Sequence, residues 1–128
     1  MYSKFGQFID GKWQPSANKE TYDVINPATE EVIGKASKAS PADVDKALKS
    51  AERGFEIWKK IKPWERSKII RKIADEIRKK SKIFANWMTL ETGKTLAEGE
   101  AEASAAADIF EWNAEEAKRI YGQSLQSR

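Results

Sequence analysis

Apolar and polar positions follow two regimes along this chain: short runs broken by turns before residue 38, and steps of three and four after residue 40. In the first regime, Val24-Ile25 and Val32-Ile33 flank a polar turn. Pro27 fixes its own φ and pushes Asn26 out of the helical region, and Ala28-Thr29-Glu30 can complete a tight reversal. The spacing predicts strand, turn, strand. Ahead of it, Phe8-Ile9-Asp10-Gly11-Lys12-Trp13 predicts a smaller hairpin. Asp-Gly suits the two positive-φ positions of a type I′ turn and sets Phe8 opposite Trp13. A two-stranded hairpin is marginal alone in water, so both are expected to lie on the helices after residue 40.

In the second regime, Ser40-Pro41-Ala42-Asp43 is a helix start, with Ser40 as cap, Pro41 in the first helical position and Asp43 as the capping-box acid. Val44, Ala47, Leu48, Ala51, Phe55 and Trp58 then mark a helix from Pro41 to about Lys60. Pro63 opens a second, with Ile69, Ile70, Ile73, Ala74 and Ile77 as the stripe expected to be buried. Ser81 is placed as the cap of a short third helix, which Gly93 ends in the left-handed conformation. A fourth is expected from about Thr95 to Tyr121, closed by Gly122. Its alanine-rich first half suits close approach by a neighbour. The tail from Gln123 to Arg128 reads like a linker towards more chain. The fold class is thus α+β, with two β-hairpins over 1–38 and about four helices over 40–122.

Composition narrows the chemistry. At 128 residues the chain is one domain at most. With 34% of residues charged, much helical surface must face water or protein outside this segment. There is no Cys and no His, which removes disulfides, thiolate nucleophiles, Cys/His zinc sites and imidazole catalysis together. No apolar run reaches the length of a membrane span, and Met1 to Gly6 lacks the apolar core of a signal peptide, so a cytoplasmic location is expected. Residues 59–82 carry eleven Lys/Arg against three Asp/Glu, whereas 91–116 carry eight Asp/Glu against one Lys. The basic stretch interleaves with isoleucines at helical spacing, which favours a solvated helix face over a nucleic-acid surface.

Candidate sites are few. Gly93-Lys94-Thr95 has the ending of a phosphate loop, but Met88 stands where its first glycine belongs. Glu98, Glu100 and Glu102 read as a solvated face rather than a metal site without a second acidic motif. Trp58, Trp87 and Trp112, at helical spacing beside Ile and Phe, read as core.

Three stretches, in this order, carry a resemblance: Phe8 to Trp13; Val24-Ile25-Asn26-Pro27-Ala28-Thr29-Glu30-Glu31-Val32-Ile33-Gly34; and Leu90-Glu91-Thr92-Gly93-Lys94-Thr95. Together they resemble the amino-terminal part of the NAD(P)-dependent aldehyde dehydrogenase superfamily, and Ala42 to Ala47 agrees. The stretch from Glu111 to Gly122 is similar to the succinate-semialdehyde dehydrogenase branch, although Asn113 stands where that branch usually has an aromatic, so other aldehydes stay open.

The resemblance implies that residues 1–128 are the amino-terminal portion of a dinucleotide-binding domain within an α/β enzyme. That enzyme oxidises an aldehyde, succinate semialdehyde being one candidate, to the acid with NAD+ or NADP+. It implies that the catalytic Cys, Asn and Glu and the dinucleotide fold lie beyond Arg128. No catalytic or cofactor-binding residue is then in this chain, which alone would be inactive and bind no dinucleotide. It further implies a K+ or Na+ site at the carbonyls of Val24 and Ile25 and the side chain of Glu91, and a substrate tunnel whose mouth is lined by Ala105, Ile109, Trp112 and Asn113. The implied partners are the rest of the dehydrogenase chain or a homo-oligomer, with no nucleic acid and no membrane. A naturally truncated, non-catalytic binding or oligomerisation module is the alternative.

Overall fold

The computed structural model describes residues 6–127. The expectations for Met1 to Phe5, and for Arg128 at the end of the tail, lie outside them. The chain forms two compact units, Met1–Lys60 with Trp87–Thr95 and Ile61–Asn86 with Leu96–Arg128.

The first unit holds both hairpins, β1 (Gln7–Ile9) with β2 (Lys12–Gln14) and β3 (Thr21–Ile25) with β4 (Val32–Ser37), together with helix α1 (Pro41–Trp58). The first turn is left-handed at Asp10 (φ 56°) and Gly11 (φ 76°), which sets Phe8 opposite Trp13 with ring centroids 5.2 Å apart. On the other side of the ribbon Ile9 is buried, and β1 lies against α1.

Hydrogen bonds tie this hairpin to α1 at two places. At its tip, the Asp10 carboxylate accepts from Arg53 (2.8 Å) and from the Ser50 hydroxyl (3.0 Å). Beyond its second strand, the Ala17 amide donates to both carboxylate oxygens of Asp43 (3.1 and 3.2 Å). Ser16 beside it is 2% exposed, its hydroxyl donating to the Glu20 carbonyl.

Asp43 also completes the capping box. Its carboxylate accepts from the Ser40 amide (2.9 Å) and hydroxyl (2.7 Å), and the Ser40 oxygen accepts from the Asp43 amide. One carboxylate therefore starts α1 and holds the loop behind the first hairpin.

In the second unit, α2 (Pro63–Lys79) packs on α4 (Leu96–Glu116), and the first half of α3 (Ser81–Thr92) packs beside α4. The buried positions are small: Ser67 and Ala74 of α2, Ala85 of α3, and Gly99, Ala103, Ala107 and Ala114 of α4. A Cβ built on Gly99 would stand 2.9 Å from the Ala85 carbonyl oxygen, so α3 and α4 meet backbone to backbone there.

Four expectations are corrected. The second hairpin is not covered by the helices, since Tyr22, Ile25 and Val32 are exposed, whereas the first lies on α1 by one side only, with Ile9 buried and Phe8 and Trp13 exposed. Nor is the α2 stripe buried as a whole: Ala74 is buried and Ile70 and Ile77 are half-buried, but Ile69 and Ile73 are exposed. Ser81 lies inside α3 rather than capping it, because the Lys80 carbonyl already accepts from the Ile83 and Phe84 amides. Finally, α4 stops at Glu116 instead of Tyr121. Its last turn tightens into three-residue bonds, Lys118 to Glu115 and Arg119 to Glu116, and Ile120 and Tyr121 have no packing to extend the helix.

The capping box supplies a test. Hydrogen bonds from the Ser40 amide, then from its hydroxyl, then from the Ala17 amide hold Asp43 at about 2, below its ordinary 3.8. Between these values the unfolded chain binds the proton and the folded chain does not. The contribution of Asp43 to stability is therefore complete above about 3.8 and is lost as the pH falls through about 2. Urea unfolding at stepped pH should show this loss in the wild type and not in Asp43→Asn. At neutral pH, Ser40→Ala should cost about 1 kcal/mol in the same measurement.

Candidate functional site

The outer face of α4 is built by exclusion. Its inner face is the Gly99, Ala103, Ala107, Ala114 stripe; at 3.6 residues per turn Ala105, Ile109 and Trp112 fall on the far side and Asn113 on the flank next to them. All four are exposed or half-exposed, Trp112 at 69%, and the Asn113 side-chain amide donates back to the Ile109 carbonyl (2.8 Å). The structure thus brings the four expected tunnel residues together on one open face. It corrects the assignment of Trp112 to the core, while Trp58 and Trp87 are half-buried. The reason is local: close packing of α4 uses its small side, which leaves the large side out.

Flanking that face, α2 and α4 are clasped by charge. Arg71 donates to Glu111 (2.6 Å) and to Glu115; Arg78 donates to Asp108 (2.8 Å) and to Glu111 (2.6 Å). Lys118 donates to Glu115 (2.9 Å) and lies 5.0 Å from the Trp64 ring centroid. The hydrogen bond from Arg78 lowers the pKa of Glu111, and the bonds to Glu111 and then Asp108 raise that of Arg78. The basic and acidic stretches of the sequence are therefore partly each other's partners. Arginines held by carboxylates in this way are not displayed for phosphates.

The second candidate lies in the first unit, where the turn after β3 meets the residue after α3. Asn26 closes the turn: its amide donates to the Glu31 carbonyl (2.9 Å), its carbonyl accepts from Glu30 (2.8 Å), and its side-chain oxygen accepts from Ala28 (2.9 Å). Glu30 takes φ 60° to complete the reversal. Gly93 ends α3 with φ 75°, and a Cβ there would stand 3.1 Å from Cγ of Pro27. This contact joins the segment bearing Val24 and Ile25 to the segment bearing Glu91. The β3–β4 ladder is irregular there too: Val24 faces Gly34 and Ile25 faces Val32, so Ile33 is the extra residue of a bulge.

Two carbonyls and one carboxylate are the hard oxygen donors that K+ or Na+ takes, and they form only part of a full coordination shell. Among the described residues no group of three or more His, Cys, Asp or Glu side chains could hold a metal ion, so such a site would rest on backbone oxygens. Among them, too, no helix is long and apolar enough to cross a membrane.

Sequence reasoning missed the Pro27–Gly93 contact and the second role of Asp43. Neither has a sequence signal, since both depend on residues more than twenty positions apart. The Gly99 approach did have one, a glycine continuing the four-residue step of Ala103 and Ala107.

Residues 13–128 match the aldehyde dehydrogenase family. The chain is 39% identical over 118 residues to glutarate-semialdehyde dehydrogenase of Pseudomonas putida, a match covering 92% of this chain and 25% of that protein. It is 35% identical over 125 residues to succinate-semialdehyde dehydrogenase [NADP(+)] 2 of Schizosaccharomyces pombe, covering 94% and 25%. Among solved structures, betaine aldehyde dehydrogenase from Staphylococcus aureus in complex with NAD+ superposes with a TM-score of 0.92 at 38% identity, over 98% of this chain and 25% of that one. The chain spans about a quarter of the length of the curated relatives it matches.

The glycine contact is testable. Gly93→Ala adds a Cβ against Pro27 in a left-handed conformation, and should cost about 1–2 kcal/mol in urea unfolding. Gly122→Ala, in open space, should leave the unfolding midpoint where it is.

Proposed function

This chain belongs to the aldehyde dehydrogenase family, and from that premise we propose that it is the amino-terminal portion of the dinucleotide-binding domain of an enzyme that oxidises an aldehyde to the carboxylic acid with NAD+ or NADP+. The observation that carries this reading is the unbroken match of residues 13–128, together with relatives whose names specify semialdehydes. The substrate class is a small semialdehyde, with succinate semialdehyde and its one-carbon homologue glutarate semialdehyde as the first to try.

The roles divide simply. The chain contains no Cys, so the thiolate that attacks the aldehyde carbonyl comes from outside this segment, as do the groups that bind the dinucleotide. Within it, Ala105, Ile109, Trp112 and Asn113 line the mouth of the substrate tunnel. Their grouping on one open helix face supports this. Val24, Ile25 and Glu91 hold a monovalent cation, supported by the bulge at Val24 and Ile25 and by the Pro27–Gly93 contact. The chain on its own is inactive. It works in the cytoplasm as part of a larger dehydrogenase, itself an oligomer.

The direct test places this segment in the P. putida relative in exchange for that protein's matched quarter, and follows aldehyde-dependent formation of reduced dinucleotide. The chimera should turn over glutarate or succinate semialdehyde, and the 128-residue chain alone should not. In the chimera, Trp112→Ala should raise KM about tenfold with a smaller effect on kcat, the pattern of a residue that contacts substrate without taking part in the chemistry. Glu91→Gln should abolish any dependence of rate on K+. A chimera that folds and binds NAD+ but oxidises no aldehyde would overturn the assignment.

A further inference from the structure

The tip of the first hairpin joins two features that aldehyde chemistry does not use. Asp10 is followed by Gly11, and the Asp10 carboxylate is the group that fastens the tip to α1. An aspartate side chain can be attacked by the backbone nitrogen of the next residue, which closes a five-membered succinimide ring. The side chain of that next residue hinders the closure. Of the six aspartates, Asp10 alone precedes a glycine; the others precede Val24, Val44, Lys46, Glu76 and Ile109. A Cβ built on Gly11 would meet no atom of the described residues within 4 Å, and the side chains of Asp10 and Arg53 are each 60% exposed. The tip therefore has room for the ring and access to water.

What opposes the ring is the anchor on α1. Oδ1 of Asp10 accepts from both Arg53 (2.8 Å) and Ser50 (3.0 Å), so Cγ must leave these partners before it can swing onto the Gly11 nitrogen. The carboxyl oxygen departs as water only from the acid form. The bond from Arg53, then that from Ser50, with the charge of Lys12 adding to them, lower the pKa of Asp10 and disfavour that form. Strands of three residues hold the tip weakly, so it opens locally at far lower cost than the chain unfolds. Each opening releases the carboxylate.

We propose that Asp10 is a modification site at which this chain converts slowly to isoaspartate, and that Arg53 and Ser50 set the rate by holding its carboxylate. The Gly11 nitrogen bonds to Cγ, the Cγ–OH bond breaks, and the hydroxyl leaves with the amide proton as water. A second water then opens the ring. Attack at Cγ restores aspartate, whereas attack at the main-chain carbonyl leaves Gly11 joined through Cγ and frees the α-carboxylate. That product has one more methylene in its backbone, which a two-residue turn cannot absorb without shifting the Phe8–Trp13 pair. The step consumes nothing but water, and it does not depend on the dehydrogenase reading.

The test incubates the 128-residue chain for weeks at neutral pH. Isoaspartate is located by peptide mapping with electron-transfer fragmentation, and its total is counted by methyl transfer with an isoaspartyl methyltransferase. It is expected at Asp10 ahead of the other five aspartates. Arg53→Ala should raise the rate about two- to fivefold, the factor that an exposed ion pair is worth, and Ser50→Ala by less. Arg53→Lys, which keeps the charge, should lie nearer the wild type. Because Arg53 is exposed, these variants should keep the wild-type helical content by circular dichroism. In urea, where no anchor remains, all four proteins should isomerise faster and at one common rate. The chimera should repeat the order of rates, since the tip and its anchor both lie within this chain.

Isoaspartate spread evenly over the six aspartates would defeat the proposal. So would equal native rates for the wild type, Arg53→Ala and Ser50→Ala, or a wild type that isomerises as fast folded as in urea. A difference between variants that persists in urea would show that the anchor is not what sets the rate.

Discussion

A Cβ on Gly99 would press into the backbone of Ala85, so α4 can meet α3 there only without a side chain. That constraint sets the packing of the second unit. It puts Ala103, Ala107 and Ala114 on the inside, and so turns Ile109 and Trp112 to the outside. Alanine against alanine removes little apolar area from water, at roughly 25 cal/mol per Å². Directional contacts then carry more of the specificity, and the bonds from Arg71 and Arg78 to Asp108, Glu111 and Glu115 fix the register that small side chains leave loose. Each half-exposed ion pair adds only modest stability, but five charges sharing contacts define one alignment of α2 on α4 and penalise a slip of one turn.

The first unit solves a different problem with the same economy. Its hairpin has an aromatic pair on one side and Ile9 on the other, too little surface to hold three-residue strands. Carboxylates supply the anchors. Asp10 takes Arg53 and Ser50 at the tip, and Asp43 takes Ala17 beyond the second strand. Asp43 is 6% exposed yet charged, which is tolerable because two backbone amides and a hydroxyl surround it. The helix cap and the hairpin anchor are thus one interaction, and a change to either reaches both.

How much could be read from the sequence depended on how local each signal was. The Asp10-Gly11 turn, the Ser40 capping box, the proline starts of α1 and α2 and the left-handed Gly93 each depend on a few neighbouring residues, and each forms as its composition predicts. The four residues of the outer α4 face came from the family resemblance alone, since spacing by itself set Trp112 in the core. Burial was not legible. Periodicity identifies an apolar stripe without saying what covers it, so Ile73 and Trp112 were expected in a core that, among the described residues, is made largely of glycine, alanine and serine. Long-range contacts escaped altogether. Nothing near Pro27 announces Gly93, and nothing near Ala17 announces Asp43.

The exposed stripes and the small-residue cores are two sides of one arrangement. A helix whose alanine face is already packed has only its large face left to offer. In α4 that face carries Ile109, Trp112 and Asn113; in α2 it carries Ile69 and Ile73. An isolated domain that had evolved to stand alone would put its isoleucines inward and its alanines at the rim, because burying the larger side chain removes more apolar surface from water. This chain does the reverse in both helices. Its internal packing sets the distances and register of the helices, and its large side chains are kept for contacts it does not itself complete. The arrangement is that of a scaffold segment: rigid on the inside through close backbone approach, and adhesive on the outside. On such a segment the open large-residue face of α4 and the apolar groove along α2 occur together for one physical reason.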